Sequence, residues 1–272
     1  MLEPLTHLPL RSIDDAGHPL SYVESGQGQV LLLVHGSLCD LRYWRWQIPE
    51  LSRHFRVVAP SLRGYWPHAF EQASPFFSVE QHAADLGKLI DQTVGRPVHL
   101  LGHSRGAHVA LELAAQTPGR IASLILADPG RQAMPSATAL AFQKQAADLL
   151  AQGDVEGALA GFIDTVNGAG TWRRMTGWFK EMVRDNAGTL FSQVAEHDTA
   201  FDPSSIEKLR CPVLLLGGEH SPPRFARAMD ALQAMLPHAQ RGVIPQASHG
   251  MNLGNARAFN ARVERFVLDA QA

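Results

Sequence analysis

The feature that most constrains this chain is a set of short, continuous apolar runs, each closed by glycine, proline or a polar residue. Residues 29–34, 98–101, 121–127 and 212–216 are built this way. A strand with one face in water alternates apolar and polar residues. An unbroken apolar run belongs to a strand covered on both faces, which is the habit of parallel sheets. Helix-period segments lie between the runs, at 78–93, 104–116, 224–236 and 256–270. Further strands are expected at 55–59 and 240–244, and a helix-like stretch at 41–51. Strand and helix therefore alternate, which argues an α/β fold: a mainly parallel sheet with helices on both faces. Two extended runs, 8–13 and 20–24, come first, and Asp15-Ala16-Gly17 between them reads as a hairpin turn. Ser78 is the expected N-cap of the helix at 78–93, with Gln81 placed for a capping box.

Residues 131–200 interrupt this rhythm. They carry helix-period segments at 136–151, 154–166 and 172–184 and no strand pattern. We read them as a helical cap insertion over one end of the sheet, leaving 1–130 and 201–272 as the core. Alternation resumes after Asp202-Pro203. A chain of 272 residues buries a substantial core without covalent staples. Its two cysteines, Cys39 and Cys211, sit in no metal or redox motif and read as small apolar residues. They exclude a disulfide scaffold and point to a reducing, cytoplasmic setting. Residues 1–15 lack a signal-peptide pattern, and no segment reaches the ~20 apolar residues of a membrane span. The net charge of −2 supplies no basic field for nucleic acid.

The chemistry is concentrated at two places. Gly102-His103-Ser104-Arg105-Gly106 matches the G-x-S-x-G nucleophile elbow, and it has the context that motif needs: a buried strand before it and a helix after it. The glycines permit the sharp turn, and Ser104 projects from the strand's end. A serine hydroxyl is a poor nucleophile at neutral pH and needs a base beside it. His249, in the loop after the last expected strand, is placed at the same edge of the sheet and is the candidate base. His35-Gly36-Ser37 follows the first long apolar run. That loop can aim the Ser37 N–H at a substrate carbonyl oxygen, paired with the Arg105 N–H, as an oxyanion hole. His35 itself reads as a brace for the loop. His103 and His108 are five apart, off the i, i+4 spacing of a helix face. No phosphate-cradling glycine loop is present, so neither metal nor nucleotide cofactor is expected.

With these residues in this order, the chain resembles the α/β-hydrolase family over nearly its whole length. The resemblance implies an eight-stranded sheet, a Ser–acid–His triad and hydrolysis of esters and related carbonyl compounds. The acid departs from the usual pattern. Most members carry it after the strand that here ends at Leu216-Gly217-Gly218, and Ser221 stands where their aspartate is. Some members place the acid one strand earlier, which points to Asp128, with Glu219 as the runner-up. Ser61-Leu62-Arg63-Gly64-Tyr65-Trp66 also departs from the family's small turn, and its bulky residues either wall a pocket or simply pack.

The cap carries Phe162, Trp172, Met175, Trp178 and Phe179, and Trp44 and Trp46 follow the oxyanion loop. These suggest a modest hydrophobic ester or lactone as substrate, with Arg105 and Arg63 able to favour an anionic one. Alternative readings are a C–C bond hydrolase, which needs basic pocket residues for a substrate carboxylate, a cofactor-independent dioxygenase and a non-catalytic receptor. An exposed cap face leaves a homodimer open.

Overall fold

The computed structural model describes residues 8–15, 17–70, 72–130, 137–196 and 206–270. The opening hairpin pairs β1 (Arg11–Asp15) with β2 (His18–Ser25) from Arg11↔Tyr22 to Asp15↔His18. Ala16 of the expected turn lies outside the described residues. Six strands follow: β3 (Val30–Val34), β4 (Arg56–Pro60), β5 (Val98–His103), β6 (Ile121–Ala127), β7 (Val213–Gly218) and β8 (Gln240–Ile244). They form one eight-stranded sheet in the order β1-β2-β4-β3-β5-β6-β7-β8. Only the edge formed by β1, β2 and β4 is antiparallel; every pairing from β4 to β8 is parallel.

The continuous apolar runs are explained by the pleat, which sends alternate residues to opposite faces. Leu31, Leu33, Ile125 and Leu216 enter the core on one face, and Leu32, Val34, Leu124 and Leu215 enter the core on the other. The second face is covered by α2 (Val79–Thr93), α3 (Arg105–Gln116) and α9 (Pro223–Met235). The first is covered by α1 (Ile48–Leu51) and α11 (Ala256–Asp269), and its core runs on without a break into the helices between β6 and β7. These are α4 (Ala137–Ala151), α5 (Val155–Asn167), α6 (Thr171–Arg174), α7 (Gly177–Asp185) and α8 (Thr189–Ala195). The expected helix start at Ser136 and the junction at Asp202-Pro203 lie outside the described residues.

Polar contacts tie these helices to the core. Asn186, after α7, donates to the buried Asp40 carboxylate at 2.7 Å and accepts from the Trp66 N–H at 2.7 Å. Arg105 Nε donates to Glu196, after α8, at 2.8 Å.

Local details differ from the sequence reading where short-range rules meet the tertiary structure. The stretch at 41–51 is not one helix. A 3-10 turn at Leu41–Trp44, capped by Asp40, is followed by the separate turn α1, where Pro49 has no N–H to continue the ladder. The expected helix at 172–184 breaks into α6 and α7 because Met175 is extended, with ψ 146°, ahead of Gly177. The short helices α8 and α10 (Met251–Gly254) were not expected. Only half of the capping box forms. Ser78 accepts from the Gln81 N–H, but the Gln81 amide donates to Asp85 at 2.8 Å instead of reaching back.

Candidate active site

The parallel strands finish at one edge of the sheet, and the loops beyond them bring the chemistry-bearing residues together. Ser104 joins β5 to α3 with φ 55° and ψ −122°, a conformation that side chains other than glycine rarely adopt. A Cβ on Gly102 would lie 2.2 Å from the Gly106 carbonyl oxygen, and one on Gly106 would lie 2.2 Å from that of His35. The elbow glycines are therefore required where backbone meets backbone. Gly106→Ala is expected to destabilise the fold by about 3 kcal/mol in urea unfolding, as overpacking against rigid backbone does. Gly161→Ala, in α5 with open space around it, is the matched control and should be neutral or slightly stabilising.

His249 lies between β8 and α10. Its Nε2 is 3.0 Å from Ser104 Oγ, and its Nδ1 is 3.2 Å from Asp128 Oδ2. A carboxylate oxygen only accepts, so Nδ1 carries the proton and Nε2 is free to accept from the serine hydroxyl. Asp128 follows β6, anchored by its N–H to the Leu216 carbonyl at 2.8 Å, and also holds a positive φ of 40°. Ser221 donates its hydroxyl to the same Oδ2 at 2.5 Å. Ser221, which stands where the family resemblance expects an aspartate, thus hydrogen-bonds Asp128. Glu219 is exposed and accepts from the Gln246 N–H at 2.7 Å, while the histidine is paired with Asp128.

Burial shapes the protonation of the pair. It pushes His249 down to about 3, helped by the nearby Arg224 guanidinium. It pushes Asp128 up to about 6, against the opposing hydrogen bond from Ser221. The Phe225 ring stacks on the imidazole at 4.1 Å between centroids and contributes to that dry setting.

The His35 loop sits directly on Ser104: a Cβ on Gly36 would lie 2.9 Å from Ser104 Cβ. His35 accepts from the Leu62 N–H at 2.9 Å and donates from Nδ1 to the Gly36 carbonyl at 2.9 Å, which braces the loop. Ser37 lines the cavity in front of Ser104. Arg105 opens α3, so its N–H has no acceptor within the helix. The Arg105 side chain points elsewhere, to Glu196 and to His82 Nδ1. Arg63 is paired with Asp85 at 2.7 Å. Neither guanidinium lines the cavity, so the expectation that they meet an anionic substrate is corrected. Of the two readings of the Ser61–Trp66 loop, packing is the one seen at this cavity: none of its residues lines it, Tyr65 is buried against His35, Phe77 and His82, and Trp66 carries the Arg42 guanidinium.

A cavity of about 450 Å³ opens over Ser104 and His249. Phe162, Met175, Trp178, Phe179 and Trp46 line it, whereas Trp44 and Trp172 are core residues outside its wall. Several further wall residues escaped the sequence reading, among them His103, whose Nε2 donates to the His249 carbonyl at 2.8 Å, Cys39 and Arg174. Asn167, at the end of α5, also escaped it. Its side-chain oxygen accepts from the Gly250 N–H at 3.0 Å, and its carbonyl accepts from the Ser248 hydroxyl at 3.0 Å, so it holds both neighbours of His249. Among the described residues, no cluster of three or more histidine, cysteine or acidic side chains is arranged to hold a metal, and no helix is long and apolar enough to cross a membrane.

Residues 31–262 match the sequence pattern of the alpha/beta hydrolase family. The chain belongs to that family. Among curated relatives of this family member, 2-hydroxy-6-oxo-2,4-heptadienoate hydrolase of Pseudomonas putida is 35% identical over 108 residues, 37% of each chain. The matched stretch spans about a third of the length of the first such relatives. Among solved structures, a thermophilic esterase from Thermogutta terrifontis is similar with a TM-score of 0.81 at 24% identity, over 97% of this chain and all of the other. The enol-lactonase from Burkholderia xenovorans LB400 is similar with a TM-score of 0.80 at 20% identity, over 95% of this chain and all of the other. At these identities the structural likeness speaks for the fold.

Proposed function

We propose that this alpha/beta hydrolase family member is a serine hydrolase that cleaves a carboxylic ester or lactone through an acyl-enzyme. The observation that carries the reading is the continuous chain of hydrogen-bonding distances from Ser104 Oγ through His249 to Asp128, at the floor of an apolar cavity. In this reading Ser104 Oγ attacks the substrate carbonyl carbon as its proton passes to His249 Nε2. Asp128 holds the imidazole tautomer and stabilises the imidazolium that forms. The Ser37 and Arg105 N–H groups stabilise the developing oxyanion. His249 then returns its proton to the leaving alkoxide, and a water deprotonated by the same nitrogen hydrolyses the acyl-serine. In a lactone the leaving alkoxide stays attached to the acyl group. The Pseudomonas hydrolase, the esterase and the enol-lactonase are all named for hydrolytic reactions, which supports this class of chemistry.

The helices over the sheet enter the mechanism through Asn167, read as a positioning residue because it holds the loop on both sides of His249. Asn167→Ala should lower kcat about tenfold, since a misplaced base costs rate more than binding. Asn167→Asp keeps the acceptor for the Gly250 N–H and should recover most of the loss. Equal kcat in both variants and wild type would remove Asn167 from the mechanism. The reading as a whole is tested with p-nitrophenyl esters from acetate to octanoate. Saturable release of p-nitrophenol that varies with chain length supports it, and no release above buffer by folded protein overturns it.

A further inference from the structure

The walls of the cavity are almost uncharged. No aspartate or glutamate is among its described lining residues, and burial keeps His103 and His249 neutral at pH 7. The formally charged side chain in that wall is Arg174. It is the last residue of α6, at the exposed mouth of the cavity. Its Nη2 lies 3.4 Å from Thr171 Oγ1, and no carboxylate pairs with it among the described residues. Several other arginines are neutralised by carboxylates. Arg184 pairs with Glu156, Arg42 with Asp40 and Asp185, and Arg105 with Glu196. A second guanidinium stands at the same wall: Arg45 stacks on the cavity-lining rings of Trp178, at 4.2 Å, and Trp46, at 5.1 Å. The buried Arg45 Nε has no hydrogen-bond partner.

An apolar cavity with positive charge at its mouth, and no acid in its described wall, favours a ligand that is apolar in the middle and anionic at one end. We propose that the substrate is an ester or lactone carrying a carboxylate remote from the scissile carbonyl, and that Arg174 is the residue that selects it. Thr176, also in the cavity wall, carries a further hydroxyl donor. Arg45 adds attraction through the field it sets up behind the tryptophans. This inference rests on the reading of Ser104 as the attacking group, and it moves the anionic preference from Arg105 and Arg63 to the arginine that lines the cavity.

The test compares p-nitrophenyl hydrogen adipate with p-nitrophenyl hexanoate, which share a six-carbon chain and differ in a terminal carboxylate. In wild type, KM should be lower for the adipate, and rising salt should erode the advantage. In Arg174→Gln, the adipate-to-hexanoate ratio of kcat/KM should fall about fivefold, through KM, as the loss of a partly exposed charge pair implies. Arg174→Lys, which keeps the charge, should hold most of the ratio. A ratio that is the same in Arg174→Gln as in wild type overturns the proposal. Binding of monomethyl adipate to Ser104→Ala, followed by tryptophan fluorescence with and without Arg174→Gln, asks the same question without chemistry. If no ester is turned over, the hydrolase reading fails, while this binding difference still decides whether Arg174 reads a carboxylate.

Discussion

Ser104→Ala should lower kcat for a p-nitrophenyl ester by roughly a hundred-thousandfold, to the level left by the oxyanion donors and binding alone. The size of the effect follows from the geometry. Among the described residues, only Ser104 Oγ stands within hydrogen-bond distance of His249 Nε2, at 3.0 Å. Alanine keeps the Cβ and fits the same backbone, so the elbow, the Gly102 and Gly106 contacts and the cavity are retained. The variant should unfold at or above the wild-type midpoint, because a hydroxyl held in a strained turn is removed. Turnover that stays within tenfold of wild type would place the nucleophile elsewhere.

Asp128→Asn should lower kcat by about ten-thousandfold. The carboxylate only accepts, and it sets the proton on Nδ1 of His249. An asparagine amide turned toward that nitrogen donates instead, which drives the imidazole proton onto Nε2, where it can no longer receive one from Ser104. Ser221→Ala should cost less than about tenfold at neutral pH, because Ser221 acts through Asp128. Its signature is in the pH profile. With Asp128 pushed up to about 6 and His249 down to about 3, the acid–base pair takes its first proton near pH 6 as the pH falls. kcat/KM should therefore be flat above pH 7 and fall about tenfold per unit below that limb. The Ser221 hydroxyl favours the ionised carboxylate, so its removal raises the Asp128 value and moves the limb to higher pH. If Ser221→Ala is the more damaging change, the acid is wrongly assigned.

How much of this was legible in the sequence follows from the range of the interactions. The elbow is local: strand, sharp turn and helix are contiguous from Val98 to Gln116, and the apolar run and glycines mark them. The sheet was legible because strands covered on both faces carry unbroken apolar runs. The break at Met175–Thr176 and the short helices α8 and α10 were not, because packing rather than periodicity decides such short turns. Arg105 and Arg63 were misread for a related reason. Their charges are taken up by Glu196 and Asp85, 91 and 22 residues away, and nothing near either arginine announces its partner. Asn167 looks like an ordinary helix-end residue until Gly250, 83 positions on, is brought against it. Arg174 carries no local signal either. Its distinction is a place in the cavity wall without a carboxylate partner among the described residues, which only the folded chain reveals.

The most direct test of the account is covalent labelling with a fluorophosphonate, read by intact mass and peptide mapping at pH 8. The account predicts one adduct per chain, on Ser104, abolished in Ser104→Ala and strongly slowed in His249→Ala. A folded protein that takes no label, or takes it at another residue with Ser104 untouched, would contradict it.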